Sequence, residues 1–285
     1  PVHVLRQELL NTNMRTAKVI AAAPIDGSRA IYAHRLLFRI ALAGIHAFAW
    51  VFIFEFFFSA NRSVSKSIAR VALLYALSQL ITCILTPLTG AFLRRGTRRI
   101  LSYSIALHAF SVGCLALAFL PLEGSQNNVY QSLAAFVILH GVARALYWLP
   151  YKTGTAHIPT SNFRTNSREA TIALAPAALG LCIGAVPGLI PIALIVISVV
   201  LLSSIIPIML MPEYYERYSW SYAETLRNLF SFPRRHDLYQ AILDGAQGAG
   251  LLLIWPLAAF ILFDWSYATL GLVLTISILF AIGLR

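Results

Sequence analysis

Long apolar runs, broken by short charged or turn-forming stretches, set the pattern of the chain. They fall at about 40–58, 71–93, 100–120 and 129–151, twice within 170–212, and then at about 238–263 and 266–284. Spans 2 and 3, Val71 to Leu93 and Ile100 to Leu120, contain no Asp, Glu, Lys or Arg. At 1.5 Å of rise per residue, runs of about 20 residues cross a hydrocarbon core of about 30 Å. The uncharged stretch from Ala170 to Pro212 is too long for one helix and suits two, joined by a tight turn at Pro187 and Gly188. The pattern predicts an all-α, polytopic helical membrane protein: a six-helix N-terminal half followed by the first two helices of a second half.

The polar segments divide the chain further. Residues 1–39 read as a basic leader, 40–211 as the six-span half, 212–237 as a linker and 238–285 as spans 7 and 8. Within the linker, Ser221 and Glu224 have capping-box spacing ahead of Leu226, Leu229 and Phe230, which predicts a short amphipathic helix on the membrane surface. The chain opens at Pro1 and stops at Arg285 directly after an apolar run, so a C-terminally truncated fragment of a longer protein is expected.

Charge then fixes a topology. The turn between spans 2 and 3, PLTGAFLRRGTRR, carries Gly90, Gly96 and four arginines, Arg94, Arg95, Arg98 and Arg99. Cytoplasmic loops are enriched in Lys and Arg, which places this turn, and with it the N-terminus, inside. Of the 22 Lys and Arg, only Arg62, Lys66 and Arg70 then fall outside, and Arg144 falls within span 4. The expected location is a bacterial inner (plasma) membrane.

Composition agrees with a bilayer environment. With 59% hydrophobic and 12% charged residues and a mean hydropathy of +0.74, the chain lies far from the soluble norm of about a quarter charged. The formal charge of +11 is accounted for by topology, so no nucleic-acid partner is inferred; the expected partners are the lipid bilayer and a small-molecule solute. Cys83, Cys114 and Cys182 sit in apolar runs without ligand spacing and read as packing residues, and the scattered histidines support no metal site. No phosphate-cradling loop or nucleophile motif occurs, so neither a cofactor nor enzyme activity is expected.

Six spans, a long cytoplasmic loop and further spans resemble the major facilitator superfamily of secondary transporters, in its uncharacterised bacterial-type members. In that family the loop after span 2 reads glycine, three residues, aspartate, a basic residue, any residue, glycine and two basic residues. Aligned on Gly96, this chain has Thr89 at the first glycine, Leu93 at the aspartate, Arg94 at the basic residue, and Thr97 and Arg98 at the last pair. The aspartate, implied by the family to lock one state, is absent. Gly180, Gly184, Pro187 and Gly188 look like the span 5 glycine and proline pattern of family exporters; small residues four apart also serve plain helix packing. Pro212, Glu213 and Arg217 stand where the family often carries a proline, acidic and basic cluster, and RALYWLPY, Arg144 to Tyr151, looks like the family's span 4 end. The resemblance implies alternating access to a solute held between two helical halves, possible proton coupling, and a gating role for Gly90, Arg94, Gly96, Arg98 and Arg99. The rival from another class is an eight-span membrane enzyme or a non-transporting receptor.

Ionisable residues inside spans are costly and so are functional candidates. Two readings stand for Arg144, about six residues from the expected end of span 4: binding an anionic solute group, or snorkelling to headgroups. His140 lies one turn away on the same face. Asp244 and Gln247 share a face of span 7 among Gly245, Gly248 and Gly250, where an acid suits proton coupling or simply meets water. Glu55 is near the outer end of span 1. His46, Gln79 and His108 read first as interhelical hydrogen bonds, Tyr147, Trp148 and Tyr151 as an interfacial aromatic belt, and Trp255 with Pro256 as a kink.

Overall fold

A computed structural model describes residues 27–120, 126–156, 163–186, 188–216, 221–231 and 235–283. The leader's Arg6, Arg15 and Lys18, the connection around Glu123, and Pro187, Arg217, Arg234 and Arg285 lie outside the described residues, as do the side chains of Arg164, Arg168 and Arg235. Among the described residues there is no β-strand. The helices are α1 (Gly27–Asn61), α2 (Val64–Phe92), α3 (Thr97–Phe119), α4 (Gln126–Ala156), α5 (Phe163–Ala185), α6 (Ile190–Ser203), α7 (Ile205–Met209), α8 (Tyr222–Leu229), α9 (Arg235–Ala249), α10 (Trp255–Leu262) and α11 (Tyr267–Gly283).

The protein is an all-α integral membrane protein. Six helical stretches are long and apolar enough to cross a membrane: Arg29–Asn61, Val64–Arg95, Thr97–Phe119, Asn128–Ala156, Ile190–Met209 and Leu238–Leu262. Expected spans 5 and 8 correspond to shorter apolar helices, Thr171–Ala185 and Tyr267–Gly283. Helices outrun the apolar runs at their ends because backbone bonding continues past the hydrocarbon edge. Thus α1 begins at Gly27, making Arg29, Arg35 and Arg39 helical. The connection expected over Ser59 to Arg70 contracts to Arg62 and Ser63, with Lys66 and Arg70 in the opening turns of α2. Arg70 there rests over the Phe57 ring, 5.5 Å from its centroid.

Around α1, which is buried along Phe48 to Phe54, pack α2, α5, α6 and α10; α4 is held between α2 and α3, and α3 also packs on α6 and α7. Because lipid supplies no hydrogen bonds, side-chain hydroxyls tie the helices to one another's carbonyls. Ser104 Oγ donates to the Ala143 carbonyl at 2.8 Å, Thr89 Oγ1 to Ala145 at 3.0 Å and Ser198 Oγ to Ala109 at 2.8 Å. A Cβ on Gly141 of α4 would stand 2.8 Å from the Ser78 carbonyl oxygen of α2, so only glycine permits this approach.

The closest helix contact is between α5 and α11. A Cβ on Gly180 would collide with the Tyr267 carbonyl, and one on Gly271 with the Pro176 carbonyl; the two backbones touch. Pro176 lies within α5 and has no N–H to donate, which loosens the ladder beside it. Thr275 of α11 enters that opening. Its Oγ1 accepts from Ala177 N–H at 3.0 Å and donates to the Ala173 carbonyl at 2.8 Å, bridging two groups that would otherwise bond each other within α5.

Span 6 is broken at Ser204 between α6 and α7, and span 7 carries a π-helical segment, Gly250–Ile254, directly before Trp255 and Pro256. The wider turn accommodates the proline expected to kink this span. The expected surface helix is α8. Ser221 Oγ accepts from Glu224 N–H, and Glu224 Oε2 accepts from Ser221 N–H at 2.7 Å. Those hydrogen bonds hold the Glu224 carboxyl below the usual glutamate range.

Two outcomes follow. Thr275→Val should lower stability by about 1–3 kcal/mol by orphaning the Ala177 N–H, whereas Thr275→Ser retains the bridge; equal thermal midpoints for Thr275→Val and the unaltered protein would contradict it. The Glu224 contribution to α8 is fully present above the ordinary glutamate value of about 4.3 and is lost as pH falls through the lower folded-state value. Amide exchange at Thr225 should therefore speed up only in that acidic window, and Glu224→Gln should flatten the response.

Candidate functional site

Residues 140, 144, 147 and 151 are spaced four, three and four apart, so they line one face of α4. Helix α4 extends to Ala156 and has 31 residues, which puts Arg144 near its middle. Arg144 stands twelve residues from the helix end, roughly 18 Å, because the helix continues past the expected end of span 4 at Tyr151.

Arg144 faces α2, within electrostatic range of Tyr75 and Cys83. Gln79 falls midway between those residues, four from each, on the same face of α2. Its Nε2 is buried and unpartnered among the described residues, and so is His140 Nδ1. His140, 2% exposed, stacks on Phe136 with centroids 5.4 Å apart and meets His108 edge-on, also at 5.4 Å. His108 Nδ1 donates to the Ser104 carbonyl of its own helix at 3.2 Å, so it is not the interhelical bond expected. His46 of α1 lies within electrostatic range of Arg144, His108 and His140. Three histidines and an arginine therefore share one buried region, yet no group of three metal-ligating side chains exists among the described residues.

The row continues through Tyr147. This residue is buried, not interfacial as the aromatic-belt expectation had it; of the trio, Trp148 is the exposed one. Phe38 stacks on the Tyr147 ring at 4.1 Å. His34 Nδ1 lies 3.2 Å from the Ser204 carbonyl, which can only accept, so Nδ1 carries the proton. His34 Nε2 then accepts from the Tyr147 hydroxyl at 3.0 Å. The break at Ser204 thus presents a carbonyl to α1.

Beside this polar region lies a cavity of about 430 Å³, walled by α1, α5, the π segment with α10, and α11. The walls are mostly apolar, and the polar contributors are Arg39, His46 and Ser277. The cavity runs from the bundle centre, at His46, Pro176 and Leu274, toward the end where α1 begins and α11 finishes, at Arg39 and Ile282. The opposite end is packed shut. There Tyr267 OH donates to Glu55 Oε2, Trp265 stacks on Phe54 at 5.4 Å and against Phe58 at 4.5 Å, and Phe260 meets Tyr267 at 4.9 Å. Trp265 has φ 64°, a strained value for a bulky residue, and this aromatic packing holds it.

At the cavity's own end of the bundle, the loop after α2 is tied to the chain following α7. Arg98 Nε pairs with Glu213 Oε2 at 2.9 Å, and Arg98 N–H donates to Glu213 Oε1 at 3.0 Å. Glu213 therefore caps the N-terminus of α3 from a distance, where a carboxylate also complements the helix dipole. Thr97 N–H donates to the Tyr214 carbonyl at 2.9 Å. Gly96 has φ 102°, and a Cβ there would enter the Glu213 carboxylate. Gly90 is buried and its carbonyl accepts from Leu93 N–H, while Arg94, Arg95 and Arg99 are exposed.

The structure thus brings Arg144 and His140 together, and it draws His46 and His108 to them. It places Glu55 in the packed end, and leaves Asp244 and Gln247 on an exposed face of α9 outside the cavity wall. Arg39, Tyr75 and Ser277 were not singled out from sequence. The signal for Arg39 was its spacing of seven from His46 on one helix; for Tyr75 it was four from Gln79. Cys83 and Cys182 are exposed on their helices, and only Cys114 is buried, correcting the expectation that all three pack inside. No protein-family model matches the chain, and no curated protein matches it.

Gly96→Ala should cost about 1–3 kcal/mol, because its backbone region is essentially reserved for glycine and its methyl displaces Glu213. A thermal melt of the solubilised protein measures it. Glu213→Ala in the same background should relieve the collision but not the strain, so the double variant should remain less stable than Glu213→Ala alone.

Proposed function

We propose that the protein is a secondary transporter of the major facilitator type, moving a small solute across a bacterial inner membrane by alternating access without covalent chemistry. The observation that carries this reading is the cavity beside mid-span polar residues that reaches one end of the bundle only. On the positive-inside topology that end is cytoplasmic, so the protein is in its inward-facing state. Its volume falls within the roughly 300–1,000 Å³ of small-molecule sites. In this reading α1 and α11, latched by Glu55 and Tyr267, form the outer gate, and Arg98 with Glu213 belongs to the inner one. The π segment at Gly250–Ile254 gives span 7 a point at which to bend. Asp244 and Gln247 join the site only if α9 carries them to the cavity in the outward-facing state, where Asp244 would couple a proton.

Thiol labelling tests this without knowing the solute. With Cys83, Cys114 and Cys182 replaced by serine, Ser277→Cys should react with a membrane-impermeant reagent from the cytoplasmic side and, more slowly, from outside. Tyr267→Phe removes a hydrogen bond to a carboxylate, about 1.5–3 kcal/mol, and should raise labelling from outside about tenfold or more. Labelling confined to one side in both variants would sink alternating access.

A further inference from the structure

From the donors gathered around Arg144, we infer that the solute carries an oxyanion, a carboxylate or phosphate group on a small and largely apolar body; this rests on the transport reading above. Arg144 holds its charge at any physiological pH, and it is placed at mid-span, where an unpaired charge is strongly disfavoured. The α2 group it faces is a neutral hydroxyl, that of Tyr75. No carboxylate lies within ion-pair distance of it among the described residues. Glu55 is engaged by Tyr267, Glu213 by Arg98 and Glu224 by its helix cap. Glu216, Asp244 and Asp264 are exposed.

The surrounding groups point the same way. Gln79 Nε2 is a donor without an acceptor, on the face of α2 that Arg144 meets. His140 Nδ1 is unpartnered in a side chain that is 2% exposed, so it too awaits a partner the chain does not supply. An arginine fork and an amide N–H, joined by His140 Nδ1 in its donor tautomer, match an oxyanion, which has only acceptors to offer. A cation would meet repulsion and no acceptor carboxylate. The cluster opens to the cavity through His46, which belongs to both, and the cavity's remaining walls are mainly aliphatic, with Trp255. The oxyanion is thus assigned to the cluster and the apolar body to the cavity.

The test uses the full-length protein in neutral detergent with benzoate and phenyl phosphate as probes, and benzyl alcohol and benzylamine as uncharged and cationic counterparts. Trp50 is a built-in reporter, since it contacts Tyr75 at 5.2 Å and Phe136 at 5.8 Å. Benzoate or phenyl phosphate should raise the thermal midpoint saturably and change tryptophan fluorescence, with Trp50→Phe reducing the signal and Trp255, in the cavity wall, supplying the rest. Their affinity should exceed that of benzyl alcohol at least tenfold. Arg144→Gln should abolish that preference, Arg144→Lys should restore it in part, and Gln79→Leu, which leaves the arginine intact, should weaken binding several-fold. Equal affinity for benzoate and benzyl alcohol, no saturable response to either anion, or undiminished binding in a folded Arg144→Gln protein would overturn the assignment. If Arg144→Gln does not fold, unchanged affinity in Gln79→Leu overturns it. One-sided thiol labelling with anion binding intact would instead retain the site and reject transport; two-sided labelling without anion binding would do the reverse.

Discussion

Two helix backbones touching at Gly180 and Gly271 hold the assembly in its observed form. Lipid tails are as apolar as leucine, so burying apolar surface gives little reason for one membrane helix to choose another. Close approach and hydrogen bonding must supply it. At the α5 and α11 contact both are present: glycines allow van der Waals contact between main chains, and Thr275 takes over a bond that α5 would otherwise make internally. The consequence is architectural. With α11 fixed against α5 and latched to α1 at Glu55, α10 and the π segment are drawn in as the fourth wall, and the cavity is what these four elements leave unfilled.

The cavity's character follows from which polar groups the bundle tolerates inside. Hydroxyls such as those of Ser104, Thr89 and Ser198 are satisfied on neighbouring carbonyls, and His34 with Tyr147 and Ser204 forms a closed set. Around Arg144 that pairing breaks down, with Ser78, Gln79 and His140 leaving buried polar atoms unpartnered on two helices. A fold that leaves buried polar groups of α2 and α4 unpartnered beside an arginine and a cavity has shaped that region for something besides its own stability.

At the end of the bundle where the cavity opens, the loop after α2 shows how a missing residue is replaced by distant chain. Leu93 stands where the proposed family has its aspartate, and it is buried. The carboxylate that engages this loop comes instead from Glu213, which caps α3 and pairs with Arg98. An ionic tie between the loop and the end of span 6 thus exists without the motif's own acid.

The amino-acid sequence by itself determined the membrane class, the helical content, the order of spans and the capped surface helix, because these depend on local quantities: run length, the hydropathy of consecutive residues, and capping spacing within one turn. It also located Arg144 and His140 on one face of span 4, since helical periodicity is local too. Helix ends escaped it, as backbone hydrogen bonding continues past the last apolar residue. The tertiary structure alone decided that His46 and His108 join Arg144, that Tyr147 is buried, that Glu55 meets Tyr267 and Glu213 meets Arg98, and that Asp244 stands apart. Each of these depends on how helices distant in sequence are rotated and set against one another, and that rotation is chosen by small-residue contacts and hydroxyl bridges whose partners no single segment specifies.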